Sequence, residues 1–167
     1  MRTDYAWPEV DLILRNALAR TAQEDGYLMR FRASERAVVH RLAVYLEHAF
    51  WGWHTDCEYN RQGGRPDPKQ AALGGEPPRN VVPDIVVHLR GPNGPNLLAV
   101  EVKPGTAAQP AQDADREKLR RYVADHHYSF AALVTYDEGG NVAVERVEYV
   151  GPRRPAPRRS PETTGAA

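Results

Sequence analysis

The chain has 167 residues, 41% of them hydrophobic and 26% charged, which suits one soluble domain with a core of its own and argues against a second. Its formal net charge is zero, so it does not advertise a nucleic-acid partner as a strongly basic domain would, and its single cysteine, Cys57, excludes an internal disulfide and a cysteine-built zinc site. No apolar run reaches the roughly 18 residues of a membrane span, and Met1-Arg2-Thr3-Asp4 lacks the layout of a signal peptide, so the expectation is a cytoplasmic protein with no membrane partner.

Val10, Ile13, Leu14, Ala17, Leu18 and Thr21 recur at helical spacing, and Pro8 suits a first turn, which predicts a helix over residues 8–24. Ser34 is a good N-cap for a second helix ending near residue 50, with Val38, Val39, Leu42, Tyr45, Leu46 and Ala49 as its apolar positions. Glu35 falls on the same stripe as Val39, Leu42 and Leu46, and an inward-facing acid needs a reason. Trp51 and Trp53 read as core or groove wall, and residues 53–59 as a strand. Residues 61–79 are crowded with Gly, Pro, Gln and Lys and carry no periodicity; they predict a long mobile loop, either a functional lid or disordered.

Residues 81–89 and 97–103 read as two strands joined by the turn signal Gly91-Pro92-Asn93-Gly94-Pro95-Asn96, so they should form a hairpin. Pro104, directly after Lys103, is expected to cut the second strand short. A helix over 112–125 follows, with Leu119, Tyr122 and Val123 facing inward, then strands over 130–136 and 142–150 around Asp137-Glu138-Gly139-Gly140. The last strand alternates as an edge does. This order predicts an α/β fold, a mixed sheet of about five strands flanked by helices, within one domain over residues 1–150. Residues 151–167, rich in Pro and Arg, are expected to be a disordered tail.

If the hairpin turn is tight, His88 faces Leu97, Val86 faces Ala99, and Asp84 faces Glu101. Asp84, Val86 and His88 then share one face of their strand, and Ala99, Glu101 and Lys103 share one face of the next. Two carboxylates held this close on apolar strands repel and lose hydration unless one protonates or a cation binds between them. Magnesium fits that need, because it takes oxygen ligands, keeps several waters and commonly uses one or two carboxylates with a substrate phosphate.

Val82-Pro83-Asp84 on one strand and Glu101-Val102-Lys103 on the next resemble the PD-(D/E)xK nuclease superfamily, over about residues 34–136. The resemblance implies a restriction-endonuclease-like fold in which Asp84, Glu101 and the Val102 carbonyl ligate Mg2+, with Mn2+ as a substitute. It further implies that Lys103 orients the attacking water and that Glu35 is the family's helical glutamate. Arg90-Gly91, Asn96-Leu97-Leu98, Asp115, Lys118 and Leu119 also look like stretches of small bacterial members. Lys69, His88, Arg90 and Lys118 are the candidates for substrate contact.

Each signal has a plainer reading beside it. Pro66-Asp67-Pro68-Lys69 repeats the motif letters in a proline-rich stretch where no strand can gather its side chains, so it is set aside. His88 is as easily a hydrogen-bonded, half-buried histidine as a contact for substrate or metal, and His126-His127 suits a helix end better than a zinc site. The expected activity is metal-dependent hydrolysis of phosphodiester bonds, of DNA before RNA. The alternative is a catalytically inactive nuclease-fold module that binds nucleic acid or a protein partner. A homodimer or larger complex would suit a chain with little room for a separate DNA-reading domain.

Overall fold

The computed structural model describes residues 2–61, 70–71, 79–91 and 94–151. Lys69, the Pro66-to-Lys69 motif mimic, most of the expected 61–79 loop and the 152–167 tail lie outside the described residues. No helix among the described residues is long and apolar enough to cross a membrane.

Helix α1 spans Trp7–Glu24 and buries Val10, Leu14, Ala17, Leu18 and Thr21, the stripe seen in the sequence. The Glu9 carboxylate accepts the Ala6 N–H at 3.1 Å, covering one of the donors left open at the helix start. Helix α2, Gly26–Arg30, was not legible, because five residues are too few to show a period. Helix α3, Glu35–Ala49, begins after Ser34 as expected and buries Val38, Val39, Leu42, Ala43, Tyr45 and Leu46.

Strand β1 is His54–Cys57; β2 (Gln70–Ala71) and β3 (Arg79–Asn80) form a separate two-stranded ladder. That ladder includes residues of the stretch expected as a long mobile loop; two-residue strands are too short to leave a sequence pattern. Strand β4 is Ile85–His88 and β5 is Asn96–Pro104; helix α4, Gln109–Asp125, leads to β6, Tyr128–Tyr136, and β7, Val142–Arg146. The five long strands form one sheet in the order β1-β4-β5-β6-β7, mixed because β5 and β6 run parallel while the other pairs are antiparallel. The chain is therefore α/β with a five-stranded mixed sheet flanked by helices, and β7 lies at an edge as its alternation suggested.

Alternation along β4, β5 and β6 splits the core in two. Ile85, Val87, Leu98, Val100, Val102, Ala132 and Val134 pack with α1 and α3, while Val86, Ala99, Ala131 and Leu133 pack with Leu119, Tyr122 and Val123 of α4. Burying both faces of β4 and β5 explains why their sequences read as near-continuous apolar runs.

Several boundaries differ from the sequence expectation for identifiable reasons. Strand β5 continues through Pro104, opposite Tyr136, because the proline lies at the strand end, and the next residue, Gly105, donates its N–H to the Tyr136 carbonyl. Helix α4 starts at Gln109, with Pro110 in its first turn, where a missing N–H costs nothing. Strand β7 stops at Arg146. In the hairpin Val86 does face Ala99, but a bulge between Val87 and His88 places His88 opposite Asn96 and not Leu97. Trp53 is buried at 6% exposure, whereas Trp51 is 84% exposed and is not part of the core.

Candidate active site

The hairpin delivers the acids as its register requires. Ile85 pairs with Val100, so Asp84 sits at the start of β4 beside Glu101 and Val102, and its Oδ2 accepts the Val102 N–H at 2.8 Å. Glu101 shares the face of Ala99, which places it under α4 and leaves it 0% exposed. Helix α4 brings Asp115 and Lys118 onto this face, two turns and one turn before Tyr122. The Lys118 ammonium stands 2.8 Å from Glu101 Oε1, 3.4 Å from Asp115 Oδ1 and 3.4 Å from the Val82 carbonyl.

Lys103 lies near the end of β5, where its side chain can reach around the sheet. Its Nζ is 2.7 Å from Glu35 Oε1 on α3 and 3.8 Å from Asp115 Oδ2 on α4. The inward acid of α3 thus has its reason: it holds the motif lysine. Four carboxylates, Glu35, Asp84, Glu101 and Asp115, surround two ammonium groups, an excess of two negative charges if all are ionised.

Burial sets the electrostatics. It raises Glu101 well above the ordinary carboxylate range, and the neighbouring Asp84 charge raises it further against the pull of Lys118. Asp84 is also raised, by burial first, with the Val102 N–H and the two lysines opposing. For Lys103 burial acts downward, but the hydrogen bond to Glu35 and the charges of Asp84 and Asp115 outweigh it, so the amine stays protonated. Burial opposes charge on Lys118 as well, and Glu101 and Asp115 reverse it. Lys118 meets Glu101 Oε1 at 2.8 Å, and Glu101 Oε2 is buried with no donor at hydrogen-bond distance. Asp115 Oδ2 is likewise buried without a donor at hydrogen-bond distance.

A hard divalent cation fits this donor set. Glu101 offers a buried oxygen without a donor, Asp84 is the adjacent carboxylate, and a divalent ion would match the two-charge excess of the fully ionised cluster. Among the described residues no three His, Cys, Asp or Glu side chains converge on one cation position, so the protein would supply two carboxylates, with backbone, water and substrate completing the shell.

The tentative substrate contacts divide. Lys118 belongs to the cluster. His88 is 3% exposed and its Nε2 lies 2.8 Å from Asp56 Oδ2, while its ring packs edge-on against Tyr59. It is the hydrogen-bonded buried histidine weighed as the plainer reading. Arg90 grips the same Asp56 through both Nε and a terminal nitrogen, and this holds Asp56 at about 2. His88 and Arg90 therefore tie β4 to β1 through Asp56, a residue the sequence reading missed because its strand shows no clear alternation. His126 caps α4 beside the Tyr122 ring, in keeping with a structural role.

Next to Glu35 and Pro104 a cleft of about 590 Å³ opens between α2, the β5 end and the β6–β7 turn, bounded by Met29, Arg32, Tyr136 and Glu138. Asp115 is the other residue that sequence spacing could have promoted, since it falls four and seven residues before the inward Leu119 and Tyr122.

Fold and site together define an α/β protein with a carboxylate–lysine cluster buried at the joint between the sheet and helices α3 and α4. No family model matches the chain, and no curated protein matches it. A crystal structure of a protein designated SSO0001 is similar at a TM-score of 0.41 and 12% sequence identity, over 80% of this chain and 66% of that one, a likeness that says nothing about activity.

Proposed function

We propose that the chain is a metal-dependent nuclease of the restriction-endonuclease-like type, acting on DNA before RNA. The observation that carries this reading is Glu101: a fully buried acid with one oxygen on Lys118 and the other without a donor, set beside Asp84 and within one cluster with Lys103 and Glu35. Buried acids of this kind are costly and are kept where a cation or a reaction needs them.

A divalent metal bound there would polarise the phosphoryl oxygen and the attacking water. Asp84 and Glu101 would hold it, and the Val102 N–H fixes the Asp84 carboxylate from behind. Lys103, kept protonated and aimed by Glu35, donates hydrogen bonds to the water or to a non-bridging phosphate oxygen and so offsets charge as it develops. Water gives up a proton to bulk solvent as its oxygen forms the new P–O bond, the bond to the departing nucleotide oxygen breaks, and that oxygen leaves with a proton from solvent. Lys118 neutralises part of the acid cluster and faces Asp115, which links the two lysines.

The test is incubation of the purified protein with supercoiled and linear DNA in Mg2+ or Mn2+, with Asp84→Ala and Lys103→Ala as controls. Cleavage by the wild type and its loss in both variants supports the reading; cleavage that survives both overturns it.

One observation favours the second reading, an inactive module binding nucleic acid or a protein. Lys118 already supplies Glu101 with a positive charge at 2.8 Å, so the cluster can persist as a salt-bridged network without metal. Calorimetric titration with Mn2+ separates the two, because only the nuclease reading expects binding that Asp84→Ala abolishes.

A further inference from the structure

The cleft beside Glu35 holds a buried polar group with no protein partner. Tyr136 is 8% exposed and lines the cleft, yet its hydroxyl makes no hydrogen bond among the described residues. A phenol set this deep ordinarily has a partner for its oxygen. Its pKa is raised by burial first and then by the Glu35 charge, which puts the oxygen on the Glu35 side of the cavity. Among the described residues neither Asp84 nor Glu101 lines this space, so it lies outside the acid pair assigned to the metal.

The rest of the lining selects the occupant by charge. Glu35, Asp137 and Glu138 stand in the wall against one guanidinium, that of Arg32, an excess of two negative charges. Asp137 stays ionised, because the Asn141 side chain and backbone N–H hold its pKa down. Lys103 engages Glu35 Oε1 at 2.7 Å, and Glu35 Oε2 has no hydrogen-bond partner among the described residues. The Arg32–Glu138 pair, at 2.6 Å, has side chains 80% and 55% exposed, and a pair so open to water is weak enough to yield Glu138 to a bound cation. Met29, Ala33 and Pro104 supply apolar wall, and the volume of about 590 Å³ falls in the range of small-molecule pockets, roughly 300–1,000 Å³.

We propose that this cleft is a binding site for a small organic cation, an ammonium or guanidinium group on an aliphatic body. The cationic head donates hydrogen bonds to the Tyr136 hydroxyl, to Glu35 Oε2 and to Glu138, while the aliphatic part covers Met29, Ala33 and Pro104. The same acids repel phosphates and other anions, which sets this site apart from any phosphodiester path to Asp84 and Glu101. The claim goes beyond the nuclease reading and does not depend on it. The two sites meet at Glu35, whose other oxygen holds Lys103.

The experiment is a ligand-detected NMR titration of the full chain, in chelator and an amine-free buffer, with three probes of one shape: hexylammonium, 1-hexanol and hexanoate. Hexylammonium should bind at least about tenfold more tightly than the alcohol, and hexanoate should not bind. Tyr136→Phe and Glu138→Gln should each weaken hexylammonium about threefold or more, whereas Arg32→Gln, which removes the competing cation, should tighten it. Thermal melting checks folding, and the opposed signs at exposed Arg32 and Glu138 keep the test decisive if Tyr136→Phe does not fold. Asp84→Asn/Glu101→Gln should bind hexylammonium as the wild type does; loss of binding there would place the cation in the acid cluster and overturn the proposal. Hexanoate binding as tightly as hexylammonium, weaker binding in Arg32→Gln, or binding unmoved by both Tyr136→Phe and Glu138→Gln overturns it as well. A fourth probe, N-acetyl lysine N-methylamide, carries the same ammonium on a peptide backbone. Tighter binding than hexylammonium identifies the occupant as a basic side chain of a protein, weaker binding as a free amine, and no binding by either probe sinks the site.

Discussion

Glu101 is the residue where folding and function conflict. Its folded pKa is raised by burial and by Asp84, so the proton it holds stabilises the fold at and below its ordinary value of 4.5, and that contribution is lost as pH rises through the folded value. In chelator, the wild type should therefore lose stability from mildly acid toward neutral pH. Glu101→Gln should flatten that slope and melt no lower than the wild type at neutral pH, while losing metal binding and cleavage. A variant that melts well below the wild type at neutral pH would show that the Glu101 charge holds the fold together. Lys118 and Lys103 should separate by the same logic. Lys118→Met leaves Glu101 and Asp115 uncompensated, so it should destabilise the metal-free protein by about 3 kcal/mol and tighten Mn2+ binding. Lys103→Met should leave Mn2+ affinity intact and lower the cleavage rate by about 100-fold or more. Equal effects of the two substitutions on metal affinity would count against their different assignments.

The site is assembled by the β4–β5 hairpin, and the hairpin depends on its turn. Leu89 donates its N–H to the Pro95 carbonyl at 2.9 Å, closing the turn, and a Cβ at Gly94 would run into the Leu89 carbonyl. Gly94→Ala must therefore open the turn or shift the register that sets Asp84 beside Glu101. The expected result is a loss of about 2 kcal/mol in denaturant unfolding together with weaker Mn2+ binding. A variant with wild-type stability and metal affinity would show that the turn does not set the register. Helices α3 and α4 both reach the ammonium of one lysine: Glu35 of α3 holds Lys103 Nζ at 2.7 Å, and Asp115 of α4 stands 3.8 Å from the same atom. No single element contains the site.

For the molecule as a whole, a bound divalent ion would link the hairpin to both helix layers, and binding to the folded state alone stabilises it. With metal at about 100 times its dissociation constant the gain is about 2.7 kcal/mol, which for a chain of this length raises the melting temperature by roughly 5–10 °C. Mn2+ should produce that shift, chelator should reverse it, and the Asp84→Asn/Glu101→Gln double variant should not show it. A shift of the same size in the double variant would place the ion elsewhere.

Residue periodicity alone determined much of this protein. The apolar stripes of α1, α3 and α4 and the near-continuous apolar runs of β4 and β5 specify helices and buried strands, because burial on one face or on two leaves its spacing in the chain. The register that sets Val86 opposite Ala99 was also legible, although the bulge between Val87 and His88 shifts the turn end of the hairpin. Tertiary structure decided the rest. Contacts of Lys118 with Glu101, of Asp115 with both lysines, and of Asp56 with His88 and Arg90 join residues from separate elements, and no local spacing encodes which elements pack together. The short α2 and the β2–β3 ladder escaped for the complementary reason: segments of two to five residues are held by their surroundings and have no room for a period of their own.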